Sequence, residues 1–571
     1  MAVPYWRSED RWAARGLLAA VLALNLAIVY LNVLINKWNN GFYDALQDKN
    51  YAVFVHQLLR FCWLAALFIV VAVYQLYLNQ MLQIRWRRWL TERSLHSWLA
   101  NNAYFRLQLG TADTDNPDQR IAEDLQLFVS GTLGLAIGGM RAVLTLVSFI
   151  AILWGLSGSV SIPLGRFSLT LPGYMVWAAL AYAILGTWLT SRIGRPLVRL
   201  NFDQQRFEAD FRFGLVRFRE NAEAVALYHG ESQELRSFGE RFGSVVRNFW
   251  QIMRRQKRLT WFTAGYGQAA VVFPFLVAAP RYFRGAIHLG GLVQTASAFG
   301  QVQDSLSFII NSYPDIASWR SVVERLVGFQ RALEHVRSQA AAGGGVALVD
   351  GDPGRITLKD VEVDLPGGQP LIAGVNLSLG RGDSALLEGP SGAGKSTLIR
   401  AIAGIWPYGR GEIRRPRGAS LLVLPQKPYL PIGSFRDVVS YPRPASGVDD
   451  AVLREALEAV GLPGLAGRLD EEGHWALHLS PGEQQRIAFA RVLVQEPEWL
   501  FLDEATSALD EATEAQLYRL VRARLPGTAI FSVGHRGTLR ALHSRELVVR
   551  RGASGPASIV ELTGGPSERV G

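Results

Sequence analysis

Ser384-Ala-Leu-Leu-Glu388, followed by Gly389-Pro390-Ser391-Gly392-Ala393-Gly394-Lys395-Ser396-Thr397, decides the fold of the C-terminal half. A short apolar run reads as a buried strand, and the helical stretch Thr397 to Ala403 follows the glycines, so the pattern G-x-x-x-x-G-K-S sits in a strand–loop–helix context. Glycines let backbone N–H groups wrap phosphates, the helix N-terminus adds positive potential, Lys395 is placed to meet β- and γ-phosphates, and Ser396 can bind Mg²⁺. Further strand-like runs, Ser420 to Leu424, Trp499 to Leu502 and Thr528 to Val533, alternate with helical stretches from Arg355 onward. That alternation predicts an α/β domain with a largely parallel sheet.

Trp499-Leu-Phe-Leu-Asp503-Glu504 is an apolar strand that ends in two carboxylates. A capping role would explain acidic residues there, but with a phosphate loop upstream the pair suits Asp503 holding Mg²⁺ through water and Glu504 polarising an attacking water. Leu479-Ser480-Pro481-Gly482-Glu483 reads locally as a helix start, with Ser480 as N-cap, Pro481 in the first turn and Glu483 closing a capping box. The same N-terminus could instead present its hydroxyl and N–H groups to a γ-phosphate held by another nucleotide domain.

With these pieces in this order, the C-terminal domain resembles the ATP-binding cassette family. The resemblance makes Gln426 the Q-loop glutamine and a further Mg²⁺ ligand, Leu479 to Glu483 the signature, Asp510 the D-loop aspartate and His535 the γ-phosphate sensor. It implies ATP and Mg²⁺ as cofactors and ATP hydrolysis by two such domains. Each site then combines Gly389 to Thr397 of one chain with Ser480, Gly482 and Glu483 of the other, and hence requires a homodimer. Two departures stand out. The signature is Leu-Ser-Pro-Gly-Glu where the family usually has Leu-Ser-Gly-Gly-Gln, and no aromatic residue lies between Val346 and Ile405 to stack on adenine, leaving Leu365 or Pro366 for that place.

Outward from this domain the composition changes. Of 571 residues 49% are hydrophobic and 16 are Trp, which suits a chain partly dissolved in lipid. Six apolar runs are long enough to cross a ~30 Å hydrocarbon core. They are Leu17 to Ile35, Phe61 to Leu82, Leu133 to Leu156, Leu169 to Leu189, Phe262 to Tyr282 and Leu292 to Tyr313, the last two interrupted by Pro274, Pro280, Gln301 and Asp304. The first run is longer than a signal-peptide core and lacks a small-residue cleavage site, so it is expected to remain as a helix. The expected fold is an α-helical membrane domain of six helices over 1–337, a linker over 338–352 rich in Ala and Gly, and the α/β domain over 353–571.

The formal charge of +10 comes from arginines that flank apolar runs, Arg85, Arg87, Arg88 and Arg93 after one and Arg192, Arg195 and Arg199 after another. That distribution marks a cytoplasmic face and excludes a nucleic-acid stripe, and six spans put both termini on it. The opposite loops carry only Lys37, Lys49 and Arg166. Cys62 is alone, so no intrachain disulfide forms. Phe202, Phe207, Phe211, Leu215 and Phe218 recur at helical spacing, which extends the membrane helices into the cytosol. Asn25, Asn32 and Asn36 share one helix face that either lines a watery cavity or bonds another helix. Arg141, about one turn inside the third span, either lines the cavity or snorkels to the interface.

Leu34-Ile-Asn36-Lys-Trp38-Asn39-Asn-Gly-Phe42-Tyr43-Asp44-Ala-Leu46 and Asp115-Asn116-Pro117-Asp118-Gln119-Arg120-Ile121 resemble the SbmA/BacA-like bacterial peptide-uptake proteins and the peroxisomal fatty-acyl (subfamily D) transporters. The resemblance implies an exporter-type fold in a bacterial inner membrane that imports hydrophilic peptides or cobalamin-like solutes. The second motif is expected to dock on the ATPase domain as a coupling helix. Export or flipping of lipids, fatty-acyl compounds or hydrophobic drugs is the alternative within transport, and a membrane-anchored ATPase that scaffolds a partner is the alternative outside it.

Overall fold

The computed structural model describes residues 2–109, 116–164, 167–341, 345–551 and 555–562. Seven long helices build the N-terminal half: α1 Arg11–Gln47, α2 Tyr51–Leu99, α3 Leu125–Ser157, α4 Tyr174–Glu220, α5 Glu231–Phe283, α6 Leu289–Asn311 and α7 Tyr313–Ala341. Among the described residues, the first five are long and apolar enough to cross a membrane. The sixth expected span falls on α6, which Gln294, Gln301, Gln303 and Asp304 make less apolar. At 1.5 Å per residue α4 and α5 reach roughly 70 and 80 Å, far more than a bilayer needs, so both extend well beyond it.

The fourth span begins later than expected. Residues from Leu169 belong to an antiparallel hairpin, β1 Ser159–Leu164 with β2 Phe167–Pro172, and α4 starts only after Gly173 at φ 64°. Pro172 has no N–H for a helix interior, and Gly173 supplies the left-handed turn, so the apolar run splits there. Arg166 lies outside the described residues.

The chain divides into two compact units, residues 1–95 with 116–328, and residues 96–115 with 329–571. Within the first, α4 and α5 are stapled by Tyr182 and Tyr266, each hydroxyl donating to the other's carbonyl at 2.6 and 3.0 Å with the rings stacked. Further along, Asn248 donates to Leu200 O at 2.8 Å, and Phe211 and Phe218 pack edge-on to Phe238. The phenylalanine stripe is thus partly a helix–helix seam, while Phe202 stays exposed.

The C-terminal part of the asparagine face of α1, at Asn36, is a packing surface. Asn25 bonds back to Val21 O, and buried Asn36 exchanges two hydrogen bonds with Gln294 of α6, at 3.1 and 3.2 Å. Asn40 adds a bond to Gln294 Oε1, while Asp44 and Gln47 accept from the N–H groups of Gly290 and Leu289 at the start of α6. These side chains satisfy orphan donors of that helix end. The approach is so close that a Cβ on Gly290 would lie 2.0 Å from Asn40 O.

The described part of the second motif is Asn116 to Ile121. It belongs with the membrane unit, where Asn116 at φ 42° and Pro117 start a helix that passes through one π-type turn, Arg120–Asp124, into α3. Buried Arg120 pairs with Asp124 at 2.7 Å, and Arg325 of α7 closes on the same carboxylate at 2.6 and 2.9 Å. A buried carboxylate needs such bidentate pairing to offset its desolvation. The segment that packs with the ATPase unit is the one before it. Ala103 and Leu107 of the helix Ala103–Leu109 pack on Leu333, and Leu109 packs against that unit's hydrophobic core. Asp115 lies outside the described residues.

Among its described residues the ATPase unit contains two large sheets and a short antiparallel ladder of Gly433–Ser434 with Glu472–Gly473. The strands of the large sheets are β3 Ala347–Asp350, β4 Arg355–Asp364, β5 Pro370–Gly380, β6 Ser384–Glu388, β7 Gly409–Arg415, β8 Leu421–Leu424, β9 Trp499–Asp503, β10 Ala529–Val533, β11 Arg545–Arg550 and β12 Ser558–Glu561. Six form a sheet in the order β12-β11-β6-β10-β9-β8, parallel except for edge strand β12. Strands β6 and β10 are buried along their whole length, the reason they read as continuous apolar runs. The second sheet, β3-β7-β4-β5, is mostly antiparallel and was not anticipated. Of the linker expected over 338–352, α7 takes the start up to Ala341 and β3 takes Ala347–Asp350; residues 342–344 lie outside the described residues.

Candidate nucleotide site

The loop after β6 opens with Gly389 at φ 153° and continues through Gly392 at 71° and Gly394 at 93°. A side chain at Gly394 would meet Ile372 and Leu371 at 2.9 Å, so only glycine lets the loop close onto the start of α8, Lys395–Ile402. Pro390, Ser391 and Gly392 stand exposed at the rim, Ala393 is buried beneath, and Thr397 is half-buried on the helix. The Lys395 ammonium donates to Gly389 O at 2.5 Å and Pro390 O at 3.0 Å and meets His535 Nε2 at 3.1 Å. Burial lowers its pKa, while the charges of Glu504 and Asp503 act the other way.

Parallel pairing of β9 with β10, and of β10 with β6, brings three strand ends to one edge. Ser396 Oγ donates to Asp503 Oδ1 at 2.8 Å. Burial raises the Asp503 pKa, with the Glu504 charge adding and the Ser396 bond opposing. A hydroxyl and a carboxylate side by side are hard oxygen donors, so Ser396 and Asp503 would hold Mg²⁺, which would supply positive charge beside the phosphates. Glu504 holds φ 51°, in the left-handed region, with its N–H on Val533 O at 3.2 Å. That turn sends its carboxylate to Gln426 Nε2 and His535 Nε2, both at 3.3 Å. Gln426, expected as a further Mg²⁺ ligand, is hydrogen-bonded to Glu504.

Ser480, Gly482 and Glu483 form a separate group. Ser480 caps α9, Pro481–Gln495, in a full capping box, its N–H and hydroxyl donating to Glu483 Oε2 at 2.8 and 2.7 Å. Those bonds hold the Glu483 carboxyl below the usual range. Ser480 is exposed, and no hydrogen bond joins it to Lys395 or Ser396 among the described residues. Asp510 caps α10, Glu511–Arg524, accepting from Thr513 N and Oγ1 at 2.8 and 2.9 Å, which lowers its pKa.

Two residues that sequence reading missed tie these groups together. Buried Gln485 donates to Gln426 O at 3.0 Å and Ser507 Oγ at 3.2 Å and accepts from Ala508 N at 2.9 Å. Arg536, beside His535, donates to Leu509 O at 2.6 Å and Ser507 O at 3.2 Å. The second glutamine after the signature glutamate gave no signal of its own, since its partners lie on other loops. At the place left for adenine stacking, Leu365 is exposed at the β4–β5 turn.

Residues 2–283 match the family described as ABC transporter transmembrane region 2, and residues 372–507 match the family described as ABC transporter. The chain is 34% identical over 93% of its length, and 93% of the relative's, to the inner membrane ABC transporter ATP-binding protein YddA of Escherichia coli. It is 27% identical over 95% of its length, and 92% of the relative's, to the human lysosomal cobalamin transporter ABCD4. A solved structure described as a bacterial Atm1-family ABC exporter with ATP bound superimposes with a TM-score of 0.73 at 20% identity, covering 94% of this chain and 93% of that one. At that identity the likeness establishes the exporter-type fold alone.

Proposed function

Because the chain belongs to the ATP-binding cassette transporter family, with membrane and ATPase regions fused in one polypeptide, we propose that two copies form a homodimer in a bacterial plasma membrane. The homodimer imports a hydrophilic peptide or cobalamin-like solute. ATP with Mg²⁺ is the fuel, and the ion, once bound, neutralises charge on the β- and γ-phosphates. Lys395 and the N–H groups of Gly389 to Thr397 hold the phosphates, Ser396 and Asp503 hold the ion, and Glu504 takes the proton of the attacking water. Gln426 and His535, each within 3.3 Å of that carboxylate, keep it turned toward the γ-phosphate.

The observation that carries the homodimer is the separation of the two phosphate-binding groups within one chain. Lys395 bonds only to Gly389, Pro390 and His535 among the described residues, while Ser480 is exposed at the head of its helix and turned to its own capping box. A second chain supplies Ser480, Gly482 and Glu483 to the open side of the first chain's nucleotide.

The cobalamin-like solute rests on the kinship with a cobalamin transporter, and import rests on the Trp38 to Leu46 motif that resembles uptake proteins. The test uses proteoliposomes with the ATPase domains outward, loaded with bleomycin or cobalamin. Import predicts ATP-driven loss of the solute from the lumen by wild type and none by Glu504→Gln. Accumulation of added solute inside, or ATP-driven flipping of fluorescent lipid, would replace import with export. Solute-independent ATPase with no movement would favour the scaffold reading.

A further inference from the structure

Between α5 and α6, inside the membrane unit, lies a cavity of about 440 Å³. Small side chains leave the space: Gly267 and Ala270 on α5 and Gly300 on α6 line it, with Ser297 and Gln303 as neutral polar groups. Asp304 is the one charged lining residue. It falls in the middle of the apolar run from Leu292 to Tyr313, and a carboxylate within such a run is a candidate functional group.

Asp304 is exposed at this open cavity and differs in its partners from the other carboxylates of these helices. Asp124 is held by Arg120 and Arg325, and Asp44 accepts from Gly290 N. Asp304 makes no ion pair and no hydrogen bond among the described residues, and Arg141 of the neighbouring α3 forms no ion pair with it. Nearby Tyr266 gives its hydroxyl to Tyr182 O. A membrane carboxylate without a protein counter-charge that opens into a cavity is a site for a cation supplied from elsewhere.

We infer that this cavity is a recognition subsite for a cationic group of the transported solute, an ammonium or guanidinium, with Asp304 as its counter-charge. Its volume sits near the lower end of ligand pockets, roughly 300–1,000 Å³, so it admits one side chain or head group and not a whole peptide or corrinoid. Ser297 and Gln303 are placed to take the hydrogen bonds that Asp304 leaves over. The inference rests on the transporter reading and adds to it the charge class of the solute.

The test uses the full chain in nanodiscs with tri-lysine, tri-alanine and tri-glutamate as probes, and reads binding by tryptophan fluorescence. Tri-lysine is expected to bind more tightly than the other two. Asp304→Asn should weaken it by about tenfold or more, the scale of a lost charge-assisted bond, and Asp304→Glu should restore most of it. Equal binding of the three peptides, or an Asp304→Asn affinity equal to wild type, overturns the subsite. So does a change of oligomeric state in Asp304→Asn by light scattering with peptide binding intact, which would make Asp304 a contact between copies. ATP-driven flux of the same peptides in proteoliposomes separates the two claims. Equal flux of all three by wild type and Asp304→Asn leaves a transporter without this subsite. No flux of any peptide counts against the transporter reading, and the binding comparison still decides the subsite.

Discussion

Replacing Gln485 by Leu should slow ATP turnover without weakening ATP binding. The side chain is 3% exposed and makes three hydrogen bonds, to the backbone of Gln426, to Ser507 and to Ala508 N. Leucine keeps most of the volume and removes every bond. Gln426, Ser507 and Ala508 are themselves exposed, so water can satisfy them after the change. The loss is then the net value of three ordinary bonds, about 1 kcal/mol each and about 3 kcal/mol together. If all of that serves to hold Gln426 against Glu504 and the 507–510 turn in its reactive position, kcat falls by about a hundredfold. Lys395 and Ser396 are untouched, so affinity for a fluorescent ATP analogue should stay within about twofold. The assay is steady-state ATPase and analogue binding on the same nanodisc preparation, with a melting curve to confirm folding. A kcat within twofold of wild type, or a loss confined to ATP affinity, would refute the idea that Gln485 carries alignment between the loops.

Glu504→Gln should abolish hydrolysis, keep ATP binding and trap a closed dimer, read by ATPase assay and size-exclusion with ATP; turnover near the wild-type rate removes Glu504 from its role. His543 is expected to make the ATPase unit acid-sensitive. Burial, reinforced by the charge of Arg522, depresses its pKa to about 4, and in the folded chain Tyr518 donates to Ser532, Ser532 to His543 Nε2, and His543 Nδ1–H to Leu539 O. The unfolded chain, with an ordinary histidine near 6.5, binds the proton first, so stability is complete above about pH 6.5 and falls toward pH 4 by up to roughly 3 kcal/mol. His543→Gln should flatten the thermal midpoint across that window, and an unchanged pH slope would count against it. Gly290→Ala should disrupt the α1–α6 contact, since its methyl would fall 2.0 Å from Asn40 O; overpacking costs about 1–3 kcal/mol, visible as a lower melting temperature in detergent. Weakening the Asp124 cluster by Arg120→Ala should cost about 1.5–3 kcal/mol, the value of a lost bond to a charged group while Arg325 still holds the carboxylate, and a melting point equal to wild type would show the Arg120 pair to be idle.

Features that depend on neighbours along the chain were legible in the residues alone. The strand–glycine loop–helix around Gly389 to Ser396, the carboxylates ending the Trp499 strand and the Ser480 capping box are patterns within a dozen residues, and each appears where the spacing put it. Apart from the start of the fourth, the six apolar runs became long helices for the same reason, because helix bonds close four residues apart. The tertiary structure decided what depends on distant partners. Only the fold pairs Asn36 with Gln294, 258 positions away, and so turns a polar stripe from a candidate cavity lining into a helix seam. It splits the run at Leu169 because hairpin pairing satisfies a backbone that Pro172 and Gly173 withdraw from the helix. It also packs Ala103 and Leu107 on Leu333, and wires the signature helix to Gln426 through Gln485. Those contacts join loops whose local sequence is silent about each other, so no periodicity encodes them and only the packed chain can select them.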